Sequence, residues 1–389
     1  MRVIHVPGAD ERLEILSRLA ASDCEGEPGV TAPIPAAKAG FLAESVIQVR
    51  RPDGPLTVLR TMQTSACERN CRYCAFRAGR DAAPRLTLTP DELARAFDRM
   101  HRAGVVRGLF LSSGIVGGGA QAMDPMLATA ELLRRVYRYT GYIHLKIMPG
   151  AQPAQIERAV QLADRVSVNL EGADAARLAA IAPQKDFHGE LLSAMQHVRR
   201  LVEARGSTIR APSLVTQYVV GPAGESDRDL LTSSSRLYRE VNLARAYYSG
   251  FNPVPDTPLD GAPPTPPTRE HRLYQGDWLL RFYGFALAEL PFEADGSLPV
   301  GVDPKLAWAR RHLRDQPVDV NRADRARLLR VPGIGPRTAE AILRARRTGR
   351  LRDLRDLSAL GAAAGRAAPY VLFDGRRPAF QMSMWDAEG

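Results

Sequence analysis

From residue 56 onward the chain repeats one pattern six times: a short aliphatic and β-branched run, a loop, and a stretch with the spacing of an amphipathic helix. The runs are PLTVLRTMQT, VRGLFLSSG, YIHLKIMPG, RVSVNLEGA, SLVTQYVVG and LARAYYSGFNPV. The helix after the first run opens at Thr89-Pro90-Asp91-Glu92, with a capping hydroxyl, a proline in the first turn and a carboxylate three residues on. Six strand–helix units predict a parallel sheet, because parallel neighbours need a long crossover and a helix supplies it. The runs are short, continuous and rich in β-branched residues, as expected of strands buried on both faces. A partial (β/α)6 barrel and an open doubly wound sheet both satisfy the pattern. In either, ligands belong at the carboxyl ends of the strands. Residues 1–50 read as a helical extension and a polar stretch, 51–295 as the α/β body and 296–316 as a connector. Residues 317–378 read as a small all-α unit and 379–389 as a tail.

Three of the four cysteines, Cys67, Cys71 and Cys74, lie within CERNCRYC, just past the first predicted strand. Such clustering points to a metal rather than to a disulfide framework. Thiolates suit zinc or iron–sulfur clusters. Structural zinc requires a fourth ligand, which Cys24 or a histidine would have to supply, and no second Cys-x2-Cys pair exists. Three thiolates on a four-iron cube would leave one iron open for chemistry. Cys24 itself reads as a buried thiol, with a substrate-facing role as the alternative. Other strand ends carry further candidates. Ser112, Ser113 and Gly114 close the second run. Asn169 and Glu171 close the fourth and share a face by period two, where buried polar groups are costly without a partner. Lys146, one of only four lysines, ends the third. Gln217 and Gly221 are weaker candidates, and His144 and His188 read as structural.

The C-terminal stretch VDVNRADRARLLRVPGIGPRTAEAILRARR predicts two helices around Val331-Pro332-Gly333-Ile334-Gly335. Two glycines let the backbone turn tightly and approach a ligand. The N–H groups at the start of the second helix, which opens on Pro336, form an anion site. Ile334 anchors the tip, and Arg337, Thr338, Arg344, Arg346 and Arg347 add donors. LRDLRDLSALGAAAGRAAPYVLF looks like a degenerate second hairpin turning at Leu360-Gly361. The net charge is +10, and residues 301–389 hold 18 Lys and Arg against 10 Asp and Glu. That excess favours a polyanion partner, although the general richness in arginine, 49 of 53 basic residues, offers a compositional reading. No run reaches the roughly 18 to 20 apolar residues of a membrane span, and the charged N-terminus has no apolar signal core. A cytoplasmic protein without a membrane partner is expected.

CERNCRYC at the end of a first strand, followed by alternating units, closely resembles the radical S-adenosylmethionine (radical SAM) superfamily. The resemblance implies a partial (β/α)6 barrel and a [4Fe-4S] cluster held by Cys67, Cys71 and Cys74. It further implies S-adenosyl-L-methionine bound at the open iron, reductive cleavage to a 5′-deoxyadenosyl radical, and an electron donor as partner. Tyr73 is similar to the aromatic residue beside the cluster or adenine. Ser112, Ser113 and Gly114 stand where the family usually has Gly-Gly-Glu, so the glutamate is absent and backbone carbonyls would bind the methionine amine. Asn169 and Glu171 resemble the ribose and methionine contacts. The Val331–Gly335 turn resembles the helix-hairpin-helix DNA-binding motif, which implies DNA-backbone contacts at Gly333, Ile334, Gly335, Arg337 and Thr338. Together with SSGIV, YIHLKIMPGA, DRVSVNLEG, TQYVVGPAGESDRDLL and REHRLYQGDWLLRFYGF, these motifs resemble a group of DNA modification and repair radical SAM proteins. That group is associated with a uracil-DNA-glycosylase-like partner. The expected function is therefore cleavage of S-adenosylmethionine to act on nucleic acid, DNA first. An RNA or tRNA modifier and a non-catalytic DNA-binding iron–sulfur protein are the alternatives. No side chain is singled out as catalytic toward the substrate.

Overall fold

The computed structural model describes residues 7–20, 46–49, 54–204 and 211–380. Cys24 lies outside the described residues, as does most of the 379–389 tail. The chain divides into two compact units, Met1–Glu225 with Arg236–Pro266, and Ser226–Ser235 with Pro267–Gly389. Among the described residues no helix is long and apolar enough to cross a membrane.

The first unit is built on one seven-stranded sheet in the order β1-β2-β3-β4-β5-β6-β7. The strands are β1 (Val46–Val49), β2 (Leu56–Met62), β3 (Gly108–Ser112), β4 (Tyr142–Lys146), β5 (Arg165–Ser167), β6 (Ser213–Val220) and β7 (Arg245–Gly250). β2 to β7 are all parallel. Their spatial order is their chain order, with no point at which the winding reverses. A doubly wound sheet needs that reversal, so the architecture is the partial barrel. β1 pairs antiparallel with β2 and is an addition to the expected six strands. It is only four residues long and sits where a polar stretch was expected.

The crossovers follow from local chemistry. α1 (Ala9–Leu19) precedes the sheet, and α2 (Pro90–Arg102) follows β2. α2 opens with a complete capping box: Glu92 N–H donates to Thr89 Oγ1 at 3.3 Å and Thr89 N–H to Glu92 Oε2 at 2.9 Å. Its buried face is Leu93, Ala94, Ala96 and Phe97. Arg12 of α1 donates to the same Glu92 at 2.5 Å, which docks α1 on that cap. α3 (Gly118–Glu131), α4 (Pro153–Leu162), α5 (Ala175–Ile181), α6 (Ser193–Ala204) and α7 (Asp227–Glu240) supply the later crossovers. His144, expected to be structural, is buried in β4 and stacks on Phe110 at 4.5 Å. Burial first, then Arg165 and Lys146, hold its pKa well below the ordinary range.

The fourth expected run pairs regularly over only three residues. Beyond them the hydroxyl of Thr216 stands in the ladder: it donates to Val168 O at 2.8 Å and accepts from Leu170 N–H at 3.2 Å. Backbone pairing resumes at Glu171, whose N–H donates to Gln217 O at 2.9 Å. Glu171 there has φ +61°, a left-handed conformation uncommon outside glycine.

The second unit contains α8 (Pro267–Phe282), which the sequence reading assigned to the α/β body, and α9 (Pro304–His312). Then come β8 (Val318–Asp319), α10 (Arg325–Arg330), α11 (Pro336–Ala345), α12 (Leu354–Ala359), α13 (Ala364–Ala367) and β9 (Val371–Leu372). β8 and β9 pair in parallel, so the expected all-α unit also carries a minimal sheet that ties its start to its end. Its core includes Leu328, Leu329, Val331, Ile334, Ile342, Leu357 and Val371, all nearly inaccessible to solvent.

Candidate functional site

A cavity of about 350 Å³ lies at the carboxyl ends of the parallel strands, with every strand from β2 to β7 or its following loop contributing to the wall. Cys67, Cys71, Tyr73 and Cys74 come from the loop after β2, Ser113 and Gly114 from the end of β3, and Asn169 and Glu171 from the end of β5. Eight of the nine expected cluster and cofactor residues therefore meet in one place. Ser112 is the exception: it does not line the cavity, and its hydroxyl is directed at Thr61 O, 3.5 Å away. Lys146 and Gln217 also line the wall.

The cysteine loop is held from several directions. At its base Thr64 and Thr87 form an antiparallel bridge, their hydroxyls 2.7 Å apart. The guanidinium of Arg85 donates to four loop carbonyls: Ser65 O at 3.0 Å, Phe76 O at 2.7 Å, Arg77 O at 2.9 Å and Arg80 O at 2.7 Å. Glu68 accepts from Gly117 N–H at 2.9 Å and Gly118 N–H at 2.8 Å, which gives the glycine run after β3 a structural task. Arg72 N–H donates to Ile181 O at 2.8 Å, Asn70 N–H to Gln184 Oε1 at 3.1 Å, and Arg69 pairs with Glu190 at 2.9 Å. The loop is thus fastened to residues 181–190. Gly114 makes room for the loop itself: a Cβ there would stand 2.0 Å from Ala66 O.

Burial pushes the Cys74 thiol up to about 12, with Cys71 adding to the effect, and burial likewise raises Cys71. Such thiols stay protonated at neutral pH until a metal displaces the proton. Among the described residues no three His, Cys, Asp or Glu side chains are already gathered for a single ion. The loop offers a wall of thiols facing one cavity. Lining the same cavity as the thiols, Lys185 Nζ donates to Glu171 Oε1 at 3.1 Å, both side chains nearly buried. Burial opposes the Lys185 charge, but Glu171 and then Cys71 outweigh it and hold the pKa above the ordinary range. The Tyr73 hydroxyl also bonds Glu171; burial, then Glu171 and the two thiols, raise its pKa well above normal. Lys185 escaped the sequence reading. The signal that could have found it is rarity: in a chain so rich in arginine, two of the four lysines line this cavity.

Asn169 and Ser113 supply a direct test of whether the site fits a ligand. Asn169 Nδ2 donates to Gln217 Oε1 at 3.3 Å, while Asn169 Oδ1 and Ser113 Oγ are buried with no partner among the described residues. An unmet buried polar atom costs roughly 1–3 kcal/mol. Two of them on the wall, with a buried ion pair and three thiols, fit a polar ligand bound beside a thiolate-held cluster.

The second candidate is the hairpin pair. Gly333, at φ +83°, turns the first hairpin, and a Cβ there would stand 2.4 Å from Ala363 O. Gly361, at φ +88°, turns the second. The two are locked together: Ala363 N–H donates to Gly333 O at 3.0 Å, and Thr338 Oγ1 to Gly361 O at 3.0 Å. Of the residues expected at a DNA backbone, Ile334 and Thr338 are buried, Ile334 in the core and Thr338 in this internal bond. Gly335 caps α11, and Arg337 in its first turn is exposed. Arg346 donates to Ala323 O at 2.5 Å and so serves the fold.

Residues 62–233 match the sequence model of the radical SAM superfamily, and residues 314–363 match that of the helix-hairpin-helix motif. The biotin synthase of Heliobacterium modesticaldum (strain ATCC 51547 / Ice1) is 25% identical over 207 residues, which are 53% of this chain and 59% of that protein. Among solved structures, HydG, a maturase of the [FeFe]-hydrogenase, aligns with a TM-score of 0.44 at 13% identity over 56% of this chain and 47% of its own. Methylornithine synthase (PylB) aligns at 0.42 and 15% identity, over 52% and 56%. The chain therefore covers less than two thirds of the length of each of these relatives. The match over 62–233, the partial barrel and the three-cysteine loop identify a radical SAM domain in this chain, one whose family cofactors are a [4Fe-4S] cluster and S-adenosylmethionine, and a helix-hairpin-helix motif follows it.

Proposed function

We propose that this radical SAM enzyme acts on nucleic acid, with DNA as the first substrate and repair or modification as the outcome. The observation that carries the reading is the interlocked hairpin pair in the same chain as the cysteine-walled cavity. In this reading Cys67, Cys71 and Cys74 hold the cluster, and Tyr73, Ser113, Gly114, Asn169 and Glu171 bind S-adenosylmethionine. When bound, that pair supplies a carbon radical able to take hydrogen from a substrate. The chain's own work is placement. Asn169 Oδ1 accepts from a ligand donor, the Lys185–Glu171 pair fixes the polarity of one wall, and the apolar remainder, Met62, Phe76 and Val219 among it, limits water. At the hairpins, the backbone N–H groups around Gly333 and Gly335 and the side chain of Arg337 face a phosphate, while Ile334 and Thr338 hold the turn in shape. Phosphate contacts position without reading sequence. The finer form of the reading adds an electron donor, a uracil-DNA-glycosylase-like partner in a shared repair pathway, and a cytoplasmic location.

The test is fluorescence anisotropy of labelled DNA against the anaerobically reconstituted full chain at stepped salt. We expect affinity that falls steeply with salt, a drop of about tenfold for Arg337→Glu at low salt, and a shallower salt slope by about one for that variant. Absence of DNA affinity at low salt would falsify the reading. An equal-length RNA competitor that displaces DNA would move the assignment to RNA, since hairpins that touch only the backbone need not see the base. Formation of 5′-deoxyadenosine excludes a purely structural cluster.

A further inference from the structure

Helix α8 presents one stripe to solvent that neither the cavity nor the hairpins use. His271, Gln275, Trp278 and Phe282 follow one another at helical spacing on the same face. Trp278 and Phe282 are each 45% exposed, although their rings contact one another with centroids 5.1 Å apart. The opposite face, with Leu273, Tyr274 and Leu279, is buried. The guanidinium of Arg281 lies 4.7 Å from the Phe282 ring centre and is held there by Asp277 at 2.6 Å. Gln275 Nε2 and His271 Nε2 are 3.1 Å apart and Gln275 Oε1 accepts from Arg272 Nη1 at 2.8 Å, so the stripe ends in polar groups that a base edge would engage by exchanging these bonds. Two large aromatic rings left in water on one helix face call for a partner.

The neighbourhood identifies the kind of partner. Phe282 directly precedes Tyr283, and Tyr283 packs on the hairpin core. The Tyr283 hydroxyl lies 3.4 Å from where a Cβ on Gly335 would sit, at the N-cap of α11. Lys305 Nζ stands 4.5 Å over the Tyr283 ring and donates to Ile334 O at 2.5 Å. Phe282 is therefore the chain neighbour of a residue whose hydroxyl approaches the N-cap of α11 in the first hairpin. Residues 301–389, which follow α8 in sequence, carry an excess of 8 positive charges. A cation-decorated aromatic shelf that grades into amide and imidazole groups is the chemistry on which nucleobases stack and hydrogen-bond. A protein partner would need a broader apolar patch than two rings.

We propose that Trp278 and Phe282 form a stacking shelf for an unpaired nucleobase of the strand whose backbone the hairpins hold. Gln275 and His271 would meet the base edge. This rests on the nucleic-acid reading above and sharpens it: a base inside a duplex is covered by its neighbours, so the preferred substrate is single-stranded, gapped or carries an extruded base.

The experiment compares full-chain wild type, Trp278→Ala, Phe282→Ala and Trp278→Phe by anisotropy on a labelled 16-nucleotide single strand and on the same sequence as a blunt duplex, at one salt concentration. Each alanine variant should lose about tenfold on the single strand, within the 1–3 kcal/mol range of base–aromatic stacking, and less than twofold on the duplex. Trp278→Phe should keep most of the affinity. In a Trp308→Phe/Trp385→Phe background, the single strand but not the duplex should quench Trp278 emission. If wild type binds both DNAs and the alanine variants bind the single strand as tightly as wild type, the shelf is overturned and the hairpin reading stands. An equal loss on both DNAs overturns it as well, as does a change in sedimenting mass in Trp278→Ala with unchanged DNA binding, which would mark a protein interface. If wild type binds neither DNA, the parent reading itself has failed.

Discussion

Lys305 sits in an environment unusual for its type. Burial pulls its pKa down to about 7; Asp303 opposes the shift, and Arg366 and Arg330 reinforce it. Its ammonium faces the Tyr283 ring, 4.5 Å away, and the carbonyl of Ile334. The unfolded chain keeps this proton up to about 10.5, whereas the folded chain releases it near 7. Between those values the unfolded state binds more protons, so stability rises with pH across that window, by at most about 1.4 kcal/mol per pH unit. Trp278 and Trp308 lie in this unit, and tryptophan fluorescence follows its unfolding. Urea midpoints should climb from pH 7 to 9 in wild type, and the lysine's share of that climb should vanish in Lys305→Met; identical slopes would show that the site does not titrate there. At the main cavity, the cysteines and the Asn169–Glu171 pair were legible because local sequence determines them: a soft-ligand triplet and a period-two alternation. Lys185 was not, because its place depends on Arg69, Asn70 and Arg72 fastening the cysteine loop to residues 181–190. No local pattern encodes that fastening.

Among the elements, the cysteine loop shows how an irregular segment acquires a fixed shape. Between β2 and α2 it has no sheet or helix to satisfy its carbonyls, so Arg85 takes four of them at 2.7 to 3.0 Å. Each such bond contributes about 1 kcal/mol net in a protected setting and less for an exposed guanidinium such as this one. Arg85→Ala should leave the barrel's melting temperature within a few degrees of wild type while the loop loosens. The readout is iron bound per chain after anaerobic reconstitution, expected to fall severalfold; Arg85→Lys should not restore it, since one ammonium cannot span four carbonyls. Full iron loading in Arg85→Ala would show that the thiols alone shape the loop. The helix after this loop was legible to the residue, because Thr89, Pro90 and Glu92 are a local code. β1 was not, because four residues in a polar stretch carry no period and become a strand only by pairing with β2. The shortening of β5 was equally hidden, since it depends on the Thr216 hydroxyl reaching across from β6.

For the whole molecule, the alternation of strands and helices set the layer order but not the winding. That required knowing that β2 to β7 lie side by side in chain order, a fact of pairing between strands that the runs themselves do not carry. With the winding known, the cavity has to lie at the strands' carboxyl ends, and the cysteines follow the first parallel strand into it. The hairpin pair belongs to a separate unit with its own core. Two compact units with separate cores predict that their ligands contribute independently. Iron-free full chain should bind DNA within about twofold of the reconstituted chain, since neither Arg337 nor the hairpin N–H groups depend on the thiols for their placement. Conversely, Arg337→Glu should form 5′-deoxyadenosine at the wild-type rate without DNA while losing about tenfold in DNA affinity. Both measurements are needed because each alone admits a trivial cause, a misfolded apoprotein in the first and a poorly loaded cluster in the second. A DNA affinity that rises more than about tenfold on loading the cluster, more than 1.4 kcal/mol of coupling, would contradict independence and make cofactor binding part of how the enzyme selects its substrate.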